Sequence, residues 1–110
     1  MCLLTLLRTQ VFRMTVRDHP TELRYELVDG DRMLGEIRYR REPGAVVLVH
    51  TDIDPAYEGQ GLAAELVAGA FRDLRERGLR VVPVCPYVRA WLRRNPEQAD
   101  IVGVDPAVPE

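Results

Sequence analysis

Apolar residues follow two different spacings along the chain, and the change from one to the other marks its centre. Residues 46–49 (VVLV) form an apolar run of the kind found in strands that are covered on both faces. From Leu62 onwards the apolar positions recur every three or four residues, which is the spacing of one side of a helix. The pattern therefore predicts a buried strand, a loop that Pro55 opens, and a helix from Leu62 to Arg77 that ends at Gly78.

Alternation of polar and apolar residues before this centre predicts antiparallel strands. Residues 21–29 and 32–41 alternate, and the Asp-Gly-Asp sequence between them is typical of a hairpin turn. A Pro-Gly pair at 43–44 predicts a second tight turn that leads into the buried strand. The apolar faces are predicted to carry Leu23, Tyr25, Leu27, Met33, Gly35, Ile37 and Tyr39, and the solvated face of the second strand is predicted to carry Leu34, Glu36, Arg38 and Arg40.

The chain after the helix predicts one more strand and one more helix. Residues 79–85 are apolar and should run parallel to residues 46–49, because a helical crossover joins the two strands. Pro86 suits the first position of a helix, and Asn95-Pro96 ends it. The predicted fold class is therefore α+β (mixed α/β), with antiparallel strands followed by a β-α-β unit and a C-terminal helix.

Length and composition limit the chain to a single small domain. It has 110 residues, 46% of them apolar and 29% charged, with a formal net charge of −2. This balance gives no general attraction to nucleic acid or to acidic membranes. We expect the domain to cover residues 14–102, with residues 1–13 as an N-terminal extension and residues 103–110 as a flexible tail.

The N-terminal residues and the two cysteines indicate the cellular compartment. The short apolar start has neither a basic leader nor a cleavage site, so we expect a cytoplasmic protein without a signal peptide or membrane span. Cys2 and Cys85 make no disulfide framework, and no ligand spacing predicts a metal site.

Gly59-Gln60-Gly61 lies directly before the long predicted helix. The first turn of a helix offers unpaired N–H groups and a partial positive charge, and glycines would let a phosphate approach the backbone closely. No lysine follows the glycines, which excludes the common phosphate loop. The alternative is a tight strand-to-helix turn that binds nothing.

The stretch from Glu58 to Ala63 resembles the acyl-CoA signature of the GNAT N-acetyltransferases, Gln/Arg-x-x-Gly-x-Gly/Ala. Glu58 stands where glutamine or arginine is usual. An acidic side chain at this position is not expected to assist phosphate binding, whereas the backbone contacts of the loop to the phosphates do not depend on it. With His50-Thr51-Asp52 and Cys85-Pro86-Tyr87-Val88, the chain is similar to the small YjdJ-type subgroup from about Met14 to Asp100.

This resemblance implies a GNAT-like core and acetyl-CoA as co-substrate, and no metal is expected because no metal-ligand spacing is present. It also implies that the backbone N–H groups of Asp52 to Asp54, at the end of the central strand, polarise the thioester carbonyl, and that the glycine loop holds the pyrophosphate. The cofactor-binding residues expected on this basis are Asp52, Ile53, Asp54, Glu58, Gly59, Gln60, Gly61, Leu62 and Ala63.

Three side chains are candidates for catalysis. Cys85 lies between a strand and a helix start, where a thiolate is favoured, or it only packs in the core. His50 alternates with Leu48 and Val46, so it should point into a covered face near the strand end, as a proton acceptor or as a hydrogen-bonded core histidine. Tyr87 packs, or it offers its phenol to the leaving sulfur, as the resemblance implies.

The function that these residues favour is acetyl-CoA-dependent transfer of an acetyl group to an amine of unknown identity, in a small molecule or a protein. Direct transfer is preferred over a two-step route through Cys85. One alternative is an acyl-CoA-binding module without turnover, and another is a small interaction domain in which the glycine loop is structural. We expect a monomer, or a weak homodimer paired through an exposed sheet edge.

Overall fold

One five-stranded sheet, with a long helix packed on one face, makes up most of the chain that this computed structural model describes, residues 14–103. The strands lie in chain order, with β1 to β4 antiparallel and β5 parallel to β4, which confirms the predicted α+β class. The elements are β1 (Met14–His19), β2 (Arg24–Asp29), β3 (Arg32–Glu42), β4 (Ala45–Ile53), a 3₁₀ turn (Pro55–Tyr57), α1 (Leu62–Glu76), β5 (Arg80–Pro83), α2 (Pro86–Arg94) and a second 3₁₀ segment (Pro96–Ile101).

The predicted limits of the domain are only partly within the described residues. The proposed extension, residues 1–13, and the tail beyond residue 103 lie outside them, so both stay predictions. Gly103, which the sequence places in the tail, donates its backbone N–H to the Val81 carbonyl at 2.8 Å. Val102 also bridges to Val81, so the chain returns to β5 after the last helix.

The first two strands differ from the prediction. β1 was not predicted as a strand, because only Met14 and Val16 pack against the core and polar residues separate them. β2 begins at Arg24 rather than at residue 21. Leu23 does not share the apolar face, since its φ of 53° takes it out of the strand and leaves it 40% exposed.

The helix α1 covers the apolar face of the sheet along its length. Its buried stripe is the predicted one, with Leu62, Leu66, Ala70 and Leu74 at most 7% exposed. Gly78 ends it with a φ of 70°, as predicted. The ring of Phe71 on α1 lies 4.8 Å from that of Trp91 on α2, so the second helix packs against the first.

An extra residue in β3 changes which face of the sheet the side chains before and after it occupy. Leu27 pairs with Gly35 and Val28 with Met33, so Leu34 has no partner and forms a β-bulge. Leu34 is consequently 4% exposed and part of the core, while Met33 is 40% exposed. The predictions for these two side chains are wrong, because strict alternation does not hold across a bulge.

The outer face of the sheet is charged, as predicted, but it is not simply solvated. Glu26 is 3% and Glu36 is 9% exposed, although each lies among charged residues. Arg24 donates through Nε to Glu26 at 2.7 Å, and its Nη1 lies 3.8 Å from Glu36. The arginine side chains cover the carboxylates, which corrects the expectation that Glu36 is solvent-exposed.

Candidate functional site

The sheet opens between β4 and β5, and this opening forms a cleft. The last pair of the parallel ladder is Leu48 with Pro83. The backbone N–H groups of Val84 and Cys85 both donate to the Leu48 carbonyl, at 3.1 and 2.8 Å, and the chain then turns into α2. β4 continues for five residues past Leu48, to Ile53. The end of β4 is therefore left without a neighbour on the β5 side.

The cleft has a volume of about 390 Å³, within the range of small-molecule sites. All nine predicted cofactor-binding residues except Asp54 and Gln60 line it. Two further residues line it: Thr51, which the sequence placed in a motif without a role of its own, and Tyr57, which was not predicted as a site residue. The lining residues are Thr51, Asp52, Ile53, Tyr57, Glu58, Gly59, Gly61, Leu62, Ala63 and Tyr87.

The two glycines at the cleft take backbone conformations that few other residues accept. Gly59 has a φ of 81° and Gly61 a φ of 74°. Gly61 is the residue before the first turn of α1, and no side chain caps that turn. A Cβ built on either glycine would meet no protein atom within 4 Å, so both backbones face open space. The N–H groups of the first helical turn have no partner within the helix, and Leu62 and Ala63 of that turn line the cleft.

No basic side chain lines the cleft within residues 14–103. An anion there would be held by backbone N–H groups and the helix dipole. Arg32 hydrogen-bonds the hydroxyl of Tyr57, a lining residue of the cleft, and its guanidinium carbon lies 5.9 Å from the centroid of the Tyr57 ring. Arg32 is the first residue of β3, and no local sequence pattern predicts this pairing.

Asp54 uses both its carboxylate and its backbone N–H in hydrogen bonds within the protein. Its carboxylate accepts the Ala56 N–H at 2.9 Å and caps the 3₁₀ turn. Its backbone N–H donates to the Leu34 carbonyl at 2.8 Å. The expectation that this N–H polarises a bound carbonyl is therefore corrected, because the donor already has a partner.

Cys85 lies behind the cleft rather than in it. The side chain is 2% exposed and does not line the cavity. Its sulfur is 3.3 Å from the Thr51 hydroxyl, which does face the cleft. The sequence correctly predicts Cys85 as the residue before α2, and the structure adds Thr51 between the thiol and the cleft.

His50 does not point into a covered face, so that prediction is wrong. Arg38 pairs with His50 and Tyr39 with Leu48, which leaves Val49 as an unpaired bulge residue in β4. The bulge turns Thr51 toward the core side and His50 toward the outer face, where its side chain is 59% exposed. There its Nε2 lies 3.2 Å from Asp52 Oδ2.

Tyr87 is half-buried, packs against the core and also lines the cleft. Both roles considered for it therefore remain compatible with its position. Among the described residues, no group of three or more His, Cys, Asp or Glu side chains is arranged to hold a metal ion. No helix in residues 14–103 is long and apolar enough to cross a membrane.

Comparisons with known proteins agree with this geometry. A sequence profile of the GCN5-related N-acetyl-transferase family matches residues 24–101. The chain is 35% identical over 51 residues to Protein NATD1 of Bos taurus, an alignment that covers 46% of this chain and 45% of that protein. The solution structure of a GCN5-like candidate N-acetyltransferase from Staphylococcus aureus matches with a TM-score of 0.62 and 20% identity, over 86% of this chain and 92% of the other. That structural likeness concerns the fold.

Proposed function

Because the chain belongs to the GCN5-related N-acetyltransferase family, we propose that it binds acetyl-CoA in the cleft and transfers the acetyl group to an amine. The observation that carries this proposal is the cleft itself, where the unpaired end of β4 meets the uncapped start of α1. We also propose membership of the YjdJ-type subgroup, on the three motifs that surround the cleft.

The pyrophosphate is proposed to lie against Gly59, Gly61 and the first turn of α1. The φ values of both glycines are positive and their Cα atoms face open space, so a phosphate could approach the backbone N–H groups directly. Glu58 contributes its backbone, since its carboxylate would repel the phosphates. The pantetheine chain would then run along β4 toward Thr51, which places the thioester near the β4 bulge.

Transfer requires that an amine nitrogen bond to the thioester carbon, that the C–S bond break, and that the proton lost by the nitrogen pass to water or to the departing sulfur. The CoA sulfur leaves as a thiolate and needs a hydrogen-bond donor. Thr51 is the proposed donor: its hydroxyl lies 3.3 Å from the Cys85 sulfur, and either atom can donate in that pair. In this proposal the thiol donates, which leaves the Thr51 hydroxyl proton for a ligand in the cleft. The Tyr87 hydroxyl is a second candidate donor, since Tyr87 also lines the cleft.

This arrangement favours direct transfer. A covalent route needs the Cys85 sulfur to reach the thioester, but the sulfur is buried behind Thr51. We therefore propose Cys85 as a positioning residue for Thr51. His50 could accept the amine proton only from an acceptor that approaches over the outer face of the sheet, where the His50–Asp52 pair lies.

One observation favours the alternative of acyl-CoA binding without turnover. His50 and Cys85 do not converge on the cleft, since one is on the outer face and the other is buried. A protein of this kind would still bind acetyl-CoA through the glycine loop. Turnover with amines separates the two functions.

The test begins with calorimetric titration of the purified chain with acetyl-CoA and with CoA. Binding of both at micromolar strength, about −8 kcal/mol, is expected. Absence of heat and of thermal stabilisation at millimolar ligand would refute the proposal. Release of free CoA with a panel of amines then distinguishes an enzyme from a binding module.

Thr51 provides the test of the chemical step. Thr51→Val is expected to lower kcat about 10- to 100-fold, the effect of losing one hydrogen bond to a charged group of about 1.5–3 kcal/mol. The KM for acetyl-CoA should change little, because the donor acts on the departing thiolate. Thr51→Ser retains the hydroxyl and serves as the control. An unchanged kcat in Thr51→Val would refute the role of Thr51 as hydrogen-bond donor to the thiolate, and with it the positioning role of Cys85.

A further inference from the structure

The loop between β4 and α1, residues 54–61, supplies four of the residues that line the cleft. Every residue of this loop is exposed except Tyr57, which is partly buried and packs against the core. Tyr57 is also the only residue of 55–61 whose side chain forms a hydrogen bond within the described part of the chain. The position of the loop at the cleft therefore depends on how the Tyr57 side chain is held.

Two contacts fasten the loop to the start of β3. The backbone N–H of Asp54 donates to the Leu34 carbonyl at 2.8 Å. Three residues further along the loop, the Arg32 guanidinium donates to the Tyr57 hydroxyl, and its central carbon lies 5.9 Å from the centroid of the Tyr57 ring. Inside the loop, the Tyr57 N–H donates to the Asp54 carbonyl at 2.8 Å, so one turn links the two attachment points. The first residues of β3 thus hold the loop by its backbone at one end and by a side chain near its middle.

We propose that Arg32 is a positioning residue for CoA binding, which holds the Tyr57 ring in place as a wall of the cleft and so fixes the glycine loop for the ligand. This inference rests on the proposed function of the cleft. Arg32 does not itself line the cleft, so it acts through Tyr57 and is assigned no contact with the ligand.

The chemistry of the pair explains why an arginine suits this position. A hydrogen bond to the hydroxyl restrains the far end of the tyrosine side chain, and a cation over the ring is attracted to its electron-rich face. One planar guanidinium can make both contacts, because it carries several N–H donors as well as the charge. The ring is therefore restrained at its hydroxyl and at its face.

A wall that is fixed before the ligand arrives lowers the cost of binding, because fewer loop residues and side chains lose freedom on association. The residues that follow Tyr57 provide no substitute for this restraint. The side chains of Glu58 and Gln60 are exposed and form no hydrogen bond or ion pair with any residue of 14–103. Loss of Arg32 should therefore loosen the loop and weaken CoA binding without unfolding the domain.

Titration of CoA into variants of the pair tests the inference. Arg32→Met keeps an unbranched side chain against the ring but removes the donor and the charge, and we expect the Kd for CoA to rise about three- to tenfold. Arg32→Lys keeps a cation and a donor and should restore the Kd to within about twofold of the wild type. An unchanged Kd in folded Arg32→Met would overturn the inference.

Two further variants show whether the effect passes through Tyr57. Arg38→Met removes the same charge from the same strand at a residue that pairs with Glu36 and lies outside the cleft, so its Kd should equal that of the wild type. In the double variant Arg32→Met/Tyr57→Phe, the Kd should stay within about twofold of that of Arg32→Met, because both changes break the same contact. An equal loss in Arg38→Met, or losses that multiply in the double variant, would contradict positioning through Tyr57.

Amide hydrogen exchange without ligand tests the restraint independently of CoA. The N–H groups of Ala56 and Tyr57 are hydrogen-bonded to Asp54, and both should exchange faster in Arg32→Met than in the wild type, while exchange in α1 and the Tm stay the same. Unchanged exchange at both residues would overturn the inference even where the wild type binds CoA. Faster exchange in a protein whose wild type binds no CoA would refute the proposed function and keep the restraint of the loop by Arg32.

Discussion

Replacing Gly61 by alanine separates the conformational role of the glycine loop from its proposed contact with a phosphate. Gly61 and Gly44 form a matched pair, since their φ values are 74° and 73° and a Cβ at either would meet no protein atom within 4 Å. Gly61 lines the cleft, whereas Gly44 lies in the β3–β4 turn. Gly61→Ala and Gly44→Ala should therefore introduce the same backbone strain at two places, only one of which faces the ligand.

The magnitude follows from the backbone conformation. A residue with a Cβ in the left-handed region costs about 1–2 kcal/mol. In a domain of this size each kcal/mol lowers the Tm by about 4–8 °C. Both variants should therefore melt several degrees below the wild type and close to each other.

Affinity for CoA should divide the two variants. The new methyl group of Gly61→Ala would stand in the open space where the pyrophosphate is proposed to lie. We expect calorimetry to show CoA affinity at least tenfold weaker, about 1.4 kcal/mol or more. Gly44→Ala should bind CoA as the wild type does. Equal CoA affinity in both variants would show that no phosphate approaches the backbone at residue 61.

Three further changes test the scaffold around the site. Gly69→Ala would place its Cβ 2.4 Å from Val16 Cγ2. Overpacking costs about 1–3 kcal/mol and the better helix propensity of alanine offsets about 1 kcal/mol, so urea unfolding should show a lower free energy of unfolding. A higher free energy of unfolding would mean that β1 is not held tightly on α1. Tyr25→Phe should lower the free energy of unfolding by about 1.5–3 kcal/mol. Burial and the hydrogen bond to Asp73 raise the pKa of Tyr25, so the wild type alone should lose stability from this group as the pH rises above about 10. Burial of Glu26 opposes its ionisation, but hydrogen bonds from two arginines outweigh this effect and lower the pKa of Glu26. Ionised Glu26 therefore stabilises the fold above about pH 4.3, and this stabilisation is lost on acidification. Glu26→Gln should accordingly flatten the acid limb of a curve of unfolding free energy against pH.

The sequence was sufficient for the elements with a strong period. The stripe of α1 recurs at Leu62, Leu66, Ala70 and Leu74, and its burial confirms the prediction. The turn at Gly30 and the start of α2 at Pro86 were also predictable, because their residue types allow few conformations. The glycine loop was recognisable because the spacing of its two glycines and its position directly before a predicted helix both fit the acyl-CoA signature.

The two bulges explain most of what could not be predicted. A bulge adds one residue without any marked change in residue type, and Leu34 and Val49 are ordinary strand residues. Each bulge reverses all side chains that follow it in the strand, which is why His50 was assigned to the wrong face and Thr51 was overlooked. Arg32 at Tyr57 depends on a contact across 25 residues, and no local pattern reports it.

The opening of the sheet after Leu48 has a consequence for how a ligand would be bound. Pro83 has no N–H, and Val84 and Cys85 both use the Leu48 carbonyl, so the parallel ladder is closed off by covalent structure and by hydrogen bonds inside the protein. The cleft thus exists before any ligand arrives. Little free energy would be lost in ordering it, so association should be fast and should follow single-step kinetics without a slow conformational phase. Amide exchange in β5 should then be nearly the same with and without CoA.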